Sequence, residues 1–279
     1  MLTYIISNYF KFCKIYLQIS HFYGIIIPRK QTFYLTGANI MQKILGHMRK
    51  AIQQYHMIND GDSIAVGVSG GKDSVALLVG LARLRSFIGI DYDITALTID
   101  PAFGGVPTDY SPVTELCGAL GVNHVIVPTQ IGEIVFDVRR EPNPCSLCSR
   151  MRRGALTNAA AELGCNKIAL GHNYDDTVET FLMNLFTEGR IGCYSPVTML
   201  EDRDIAVIRP LVLAEEREIR RAVRRGGLPV VKSVCPADGH TNRERTKSLI
   251  AQLEHDDHGI KDRLFGAMVR GDIDGWGIK

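Results

Sequence analysis

The chain has 279 residues, 46% of them apolar and 22% charged, with a formal net charge of +2, enough to bury a full core in one large domain and too balanced for charge alone to name a partner. Seven cysteines, an odd number, in a chain of enzyme size argue against a disulfide framework and for thiol or metal chemistry in a reducing cytoplasm.

The first forty residues stand apart, holding nine of the 21 aromatics, four Lys or Arg and no Asp or Glu. Their longest charge-free apolar stretch, 15–28, is interrupted by Gln18, Ser20 and His21 and is shorter than the ~20 residues of a membrane span. No membrane segment is expected, and no small-residue cleavage site follows the stretch as a secretory leader would require. Residues 1–40 read as a non-core extension, an over-extended start ahead of Met41, and 41–279 as the working domain. Without the extension the chain has 28 basic and 30 acidic residues, yet 209–250 holds ten basic against five acidic. That asymmetry points to a basic surface on the C-terminal part.

From Ser63 onward, short β-branched runs alternate with helical patterns: a strand at 63–68, a helix at 73–86, a strand at 94–100, a helix at 111–120 and a strand at 124–127. The series resumes with a helix opened by Cys145 to Cys148, a strand at 167–170, a helix carrying Val178, Phe181, Leu182 and Leu185, and a strand at 206–208. Helical patterns follow at 215–225, 241–255 and 260–268. The expected fold is α/β, a doubly wound and mostly parallel sheet with C-terminal helices.

The sharpest local signal is Ser69-Gly70-Gly71-Lys72-Asp73-Ser74, directly after an apolar strand and directly before a helix. Two glycines let backbone approach a phosphate, the helix N-terminus favours negative charge, and Lys72 adds a full positive one. Asp73 and Ser74 can cap the helix, and Asp73 can help hold magnesium. The loop is not a Walker loop, because three residues rather than four separate Gly67 from Gly71 and Asp73 follows the lysine. A second constellation, Gly171-His172-Asn173-Tyr174-Asp175-Asp176, again sits between a strand and a helix, so in a doubly wound sheet both loops open on one crevice. The paired carboxylates can hold a divalent ion, take a proton, or simply cap the helix.

Cys145-Ser146-Leu147-Cys148 follows Pro142 and Pro144 at a helix start, where the dipole favours thiolate. A closed structural zinc site wants four ligands, and a redox pair is an alternative. With Cys235 as a third thiol, the set suits a cluster with one iron left open. Cys117, Cys165 and Cys193 read as small buried residues, and Cys13 lies in the extension. Arg217, Arg220, Arg221, Arg224 and Arg225 stripe one side of a helix and Arg243, Arg245 and Lys247 open the next. Such a stripe suits nucleic-acid phosphates or, alternatively, a solvated face paired with Glu215, Glu216 and Glu218.

The Ser69–Ser74 loop resembles that of the PP-loop ATP pyrophosphatases. With Cys145-x-x-Cys148, Ser149-Arg150, Arg152-Arg153-Gly154, Gly171-His172-Asn173, Asp175-Asp176 and Arg209-Pro210-Leu211, the chain from about Met41 to Met268 resembles the tRNA 2-thiocytidine synthetase family. The resemblance implies ATP-dependent thiolation of a tRNA cytidine at position 32: ATP is cleaved between α and β, the base carbonyl is adenylated, and sulfur displaces AMP. It implies ATP on Ser69, Gly70, Gly71, Lys72, Asp73, Ser74 and His172, magnesium, catalysis by Lys72, Asp73 and Asp175, and a 4Fe-4S cluster on Cys145, Cys148 and Cys235. Asp238 stands where relatives often carry a further cysteine. Arg152, Arg153, Arg220, Arg221 and Arg224 are candidate tRNA contacts. The partners implied are tRNA and a cysteine desulfurase or another sulfur donor, with a homodimer left open. Two further readings remain: a PP-loop ligase or sulfur-insertion enzyme with another substrate, and a nucleotide-binding iron–sulfur or zinc sensor without turnover.

Overall fold

A computed structural model describes residues 38–140, 143–237 and 242–277. Most of the N-terminal extension, and Asp238, lie outside the described residues. Helix α1 (Ala38–Gln54) crosses the expected boundary and buries Met41, Ile44, Met48 and Ile52 against the core. Then come β1 (Asp62–Gly67), α2 (Lys72–Leu84), β2 (Tyr92–Asp100), α3 (Ser111–Leu120) and β3 (Asn123–Pro128). A short helical turn at Ile131–Glu133 runs into a π-helical turn at Ile134–Arg139. The chain continues with α4 (Pro144–Glu162), β4 (Lys167–Ala169), α5 (Tyr174–Thr187), β5 (Val197–Leu200), β6 (Ile205–Ile208), α6 (Glu216–Arg225), α7 (Asn242–Asp256) and α8 (Ile260–Arg270).

The sheet order is β3-β2-β1-β4-β6-β5, parallel throughout except for β5 against β6. This is the doubly wound arrangement expected from the alternation of strands and helices. Side chains alternate across the pleat: Ile64 and Val66 face the core packed with α1, α2, α5 and α6, while Ala65 and Leu97 face Ala159 and Ala160 of α4. The chain leaves β1 toward β2 and β3 and later returns to place β4 on the other flank of β1, with Val66 paired to both Ala96 and Ala169. The sheet therefore switches direction at β1 and β4, and the loops leaving their carboxyl ends border one crevice.

The antiparallel β5 and the π-helical turn have no counterpart in the sequence reading. Neither do the stop at Ile273–Gly275 and the burial of Trp276, whose Nε1 donates to the Tyr194 carbonyl at 2.8 Å. Cys117, Cys165 and Cys193 are buried. Among the described residues no helix is long and apolar enough to cross a membrane.

Candidate functional site

The loop between β1 and α2 is built largely from its own hydrogen bonds. Ser74 Oγ donates to the Gly71 carbonyl at 2.9 Å and accepts from the Ser69 amide at 3.1 Å, which folds the loop back on the first turn of α2. Gly70 has φ +82°, and a Cβ there would lie 2.8 Å from Cβ of Val231. Its carbonyl accepts from the Val231 amide at 2.9 Å, pinning the later segment that carries Cys235 onto the loop. Gly171 supplies the second close approach: a Cβ would meet the Asp73 and Ser74 backbone at 3.1 Å. Asn173 caps α5 through a reciprocal box with Asp176 and donates Nδ2 to Asp73 Oδ1 at 3.2 Å. The two sequence motifs are thus tied backbone to backbone and side chain to side chain.

A cavity of about 640 Å³ opens above them, walled by Ser69, Gly71, Asp73, Ser74, Gly171 and His172, and farther out by Tyr110, Arg152, Arg153, Cys145, Cys148 and Cys235. Phe103 and Phe136 meet edge to face on its wall, 5.7 Å between centroids. Lys72 behaves differently from expectation. Its Nζ turns to Asp73 Oδ2 at 2.8 Å and to Glu216 Oε1 at 2.9 Å. Burial alone would lower its pKa, but these two carboxylates hold it above the ordinary lysine value.

The paired carboxylates do not face the cavity as anticipated. Asp175 accepts from the Glu216 amide at 2.7 Å with one oxygen and from Lys261 at 2.7 Å with the other, so it caps the start of α6. Asp176 closes the capping box and pairs with Arg243 at 3.1 Å. Both are claimed by helix ends, because two adjacent acids at the start of α5 meet orphan amides before they can reach the crevice.

His172 lines the cavity with its ring 4.8 Å from Tyr194. Burial, helped by the nearby Arg209, Arg243 and Arg153 charges, pushes its pKa down to about 3, so it is a neutral imidazole. Arg209 is itself buried, donating to the Ser195 carbonyl at 2.6 Å and Thr198 Oγ1 at 3.0 Å with Tyr194 under its guanidinium. It braces the β5–β6 pair.

All three candidate cysteines line this cavity. Burial raises the thiol pKa of Cys145 and Cys148, reinforced by Cys235 and, at Cys148, opposed by Arg152. The direction of these shifts runs against the thiolate expected at a helix start. Among the described residues no three His, Cys, Asp or Glu side chains are already gathered to hold a metal ion. Cys145 and Cys148 lie on α4, whereas Cys235 sits on the irregular stretch between α6 and α7.

The sequence reading did not single out Asp100, and it named Glu216 only as a pairing partner of the α6 arginines. Asp100, buried at the end of β2, accepts from the amides of Ala102 and Thr108 at 3.1 and 3.0 Å and so shapes the loop behind Phe103 and Tyr110. Glu216 gathers Lys72, Arg220 and Lys247. On α6, Arg217 and Arg220 are tied to Glu215 and Glu216, while Arg221 and Arg224 are exposed and have no ion-pair partner among the described residues. Arg243 and Lys247 are turned inward to Asp176 and Glu216 and do not extend the stripe.

A parallel sheet with a glycine-rich anion loop after its central strand, locked to a second loop at the switch point, defines a nucleotide-binding protein of the PP-loop class. The PP-loop domain model matches residues 42–253. The chain belongs to that family, in the branch of the tRNA-cytidine(32) 2-sulfurtransferases. The enzyme of that name from Geobacter sulfurreducens is 39% identical over 230 residues, covering 81% of this chain and 89% of the relative. Its namesake from Pelobacter propionicus is 40% identical over 222 residues, covering 78% and 82%. The fold is shared with a solved structure, the U34-tRNA thiolase NcsA from Methanococcus maripaludis with its 4Fe-4S cluster, at a TM-score of 0.65 and 23% identity over 83% of this chain and 77% of that one.

Proposed function

We propose that this chain is a cytoplasmic, ATP-dependent tRNA sulfurtransferase that converts cytidine 32 to 2-thiocytidine. The observation that carries the reading is that the phosphate loop and three unpaired cysteines wall one cavity, in a chain whose relatives bear that activity in their names. The base carbonyl oxygen attacks the α-phosphorus of Mg-ATP, the bond to the β-phosphate oxygen breaks, and pyrophosphate leaves. A sulfur nucleophile then adds to the activated carbon, and AMP departs with the former carbonyl oxygen.

The loop amides and Lys72 hold the pyrophosphate, whose developing charge they stabilise, while Asp73 on the cavity wall helps hold magnesium. Ser69, Gly70, Gly71, Ser74 and neutral His172 complete the nucleotide pocket. Arg152 and Arg153, midway along α4, take the phosphates beside the reacting nucleotide. Asp175 serves catalysis through Glu216 rather than by touching substrate.

The donor set favours an iron–sulfur cluster over a closed zinc site, because among the described residues the cavity wall holds three cysteines and no fourth, and its histidine, His172, is packed against Tyr194. Cys145, Cys148 and Cys235 would hold a 4Fe-4S cluster, which when bound supplies an iron without a protein ligand able to keep sulfide anionic at neutral pH. The sulfur comes from a cysteine desulfurase or another donor. The test is pyrophosphate release on adding tRNA to the protein with Mg-ATP. Release by the native chain and none by a folded Lys72→Ala variant is expected; release by Lys72→Ala at the native rate would remove the loop from the mechanism.

A further inference from the structure

Lys72 is the residue the phosphate chemistry depends on, and the structure does not leave it free. Its ammonium is shared by Asp73 and by Glu216, which comes from the start of α6, the helix packed against α2. The Glu216 side chain is only 14% exposed and receives Lys72 and Arg220 on one oxygen and Lys247 on the other, each at 2.8 to 2.9 Å. Although burial pushes the carboxyl up, Lys247 and Lys72 hold its pKa at about 2, so it is ionised under all working conditions. Its own amide donates to Asp175 Oδ2 at 2.7 Å, and Asp175 is anchored by Lys261 at 2.7 Å. Asp175 of the second motif therefore fixes where α6 begins, and α6 presents Glu216 to the first motif's lysine.

We infer that Glu216 is a positioning residue: it aims Lys72 at the loop, and it does so at the expense of nucleotide affinity, because its carboxylate competes with the polyphosphate for the same ammonium. Lysine is a point charge on a flexible four-carbon stem, and a buried carboxylate restricts where that charge is found. The inference rests on the nucleotide reading of the loop but not on thiolation. It predicts a split in kinetic constants that a residue serving only the fold would not give.

The experiment compares the native chain, Glu216→Gln, Lys72→Ala and the double variant, measuring Mg-ATP binding by calorimetry and tRNA-dependent pyrophosphate release. Glu216→Gln should bind Mg-ATP about threefold more tightly yet release pyrophosphate about tenfold more slowly, and in the Lys72→Ala background the same change should alter affinity by less than about twofold. Asp175→Asn, which loosens the cap and leaves Glu216 charged, should show the same split at smaller size and decides the matter if Glu216→Gln does not fold. Equal effects with and without Lys72, or weaker binding in both Glu216→Gln and Asp175→Asn, would overturn the inference. Failure of the native chain to bind Mg-ATP would instead overturn the reading of the loop.

Discussion

Gly171 lacks a side chain because the Asp73 and Ser74 backbone occupies the space a Cβ would need. An alanine there must shift the two loops apart slightly, so Gly171→Ala should cost about 1–3 kcal/mol of stability and weaken Mg-ATP binding, both readable by thermal unfolding with and without nucleotide. Unchanged nucleotide affinity would show that the contact between the loops is not needed to hold the phosphate site. Glu179 supplies a second test. It is buried on α5, and burial together with Asp176 raises its pKa from 4.5 to about 7 despite Arg243 at 3.3 Å. A raised folded-state value means that the native chain holds this proton more tightly than the unfolded one, so the stability it contributes is present below about pH 4.5 and lost as pH rises through about 7. Glu179→Gln should flatten that decline, gaining on the order of 1–3 kcal/mol over the native chain at pH 8 relative to pH 5. Parallel pH profiles for the two proteins would refute it. Lys72, Asp73 and Asn173 were legible because their motifs are contiguous in the chain. Glu216 and Asp100 were not, since each matters through partners distant in sequence or through backbone amides, and a lone acid in a sequence carries neither signal.

At the scale of elements, apolar periodicity found α2, α3, β2 and β6 within a residue or two. The strand β5 was missed because its burial is only partial and its pairing with β6 is local. Helix α1 was missed altogether, and the boundary set by the compositional shift at residue 41 falls inside it. The basic stripe on α6 was visible, but its division of labour was not. One face buries Ile219, Ala222 and Val223, Arg220 serves the Glu216 network, and Arg221 with Arg224 remains for an outside partner. Reversing both charges with Arg221→Glu and Arg224→Glu should weaken tRNA binding about tenfold or more and lower the salt slope by about one for each phosphate no longer neutralised, with Mg-ATP affinity unchanged. Filter binding across a salt series reads both quantities. Native tRNA affinity in that variant would return α6 to the role of a solvated face.

For the whole molecule, topology does what no motif could do alone. The reversal of strand order at β1 and β4 brings the phosphate loop beside the second loop, and the Val231 amide on the Gly70 carbonyl carries the Cys235 segment to the same cavity as Cys145 and Cys148. The class of chemistry was therefore readable from motifs, whereas the convergence of three distant segments on one cavity needed the fold. The measurement that tests the central claim most directly is nucleoside mass spectrometry of unmodified tRNA incubated anaerobically with iron-reconstituted protein, Mg-ATP and a sulfide source, alongside Cys235→Ala. The native protein should replace one oxygen by sulfur in cytidine 32 with one AMP formed per thionucleoside, and Cys235→Ala should lose both iron and thiolation while still binding Mg-ATP. Thionucleoside formed without ATP, or by a Cys235→Ala variant lacking iron, would contradict it.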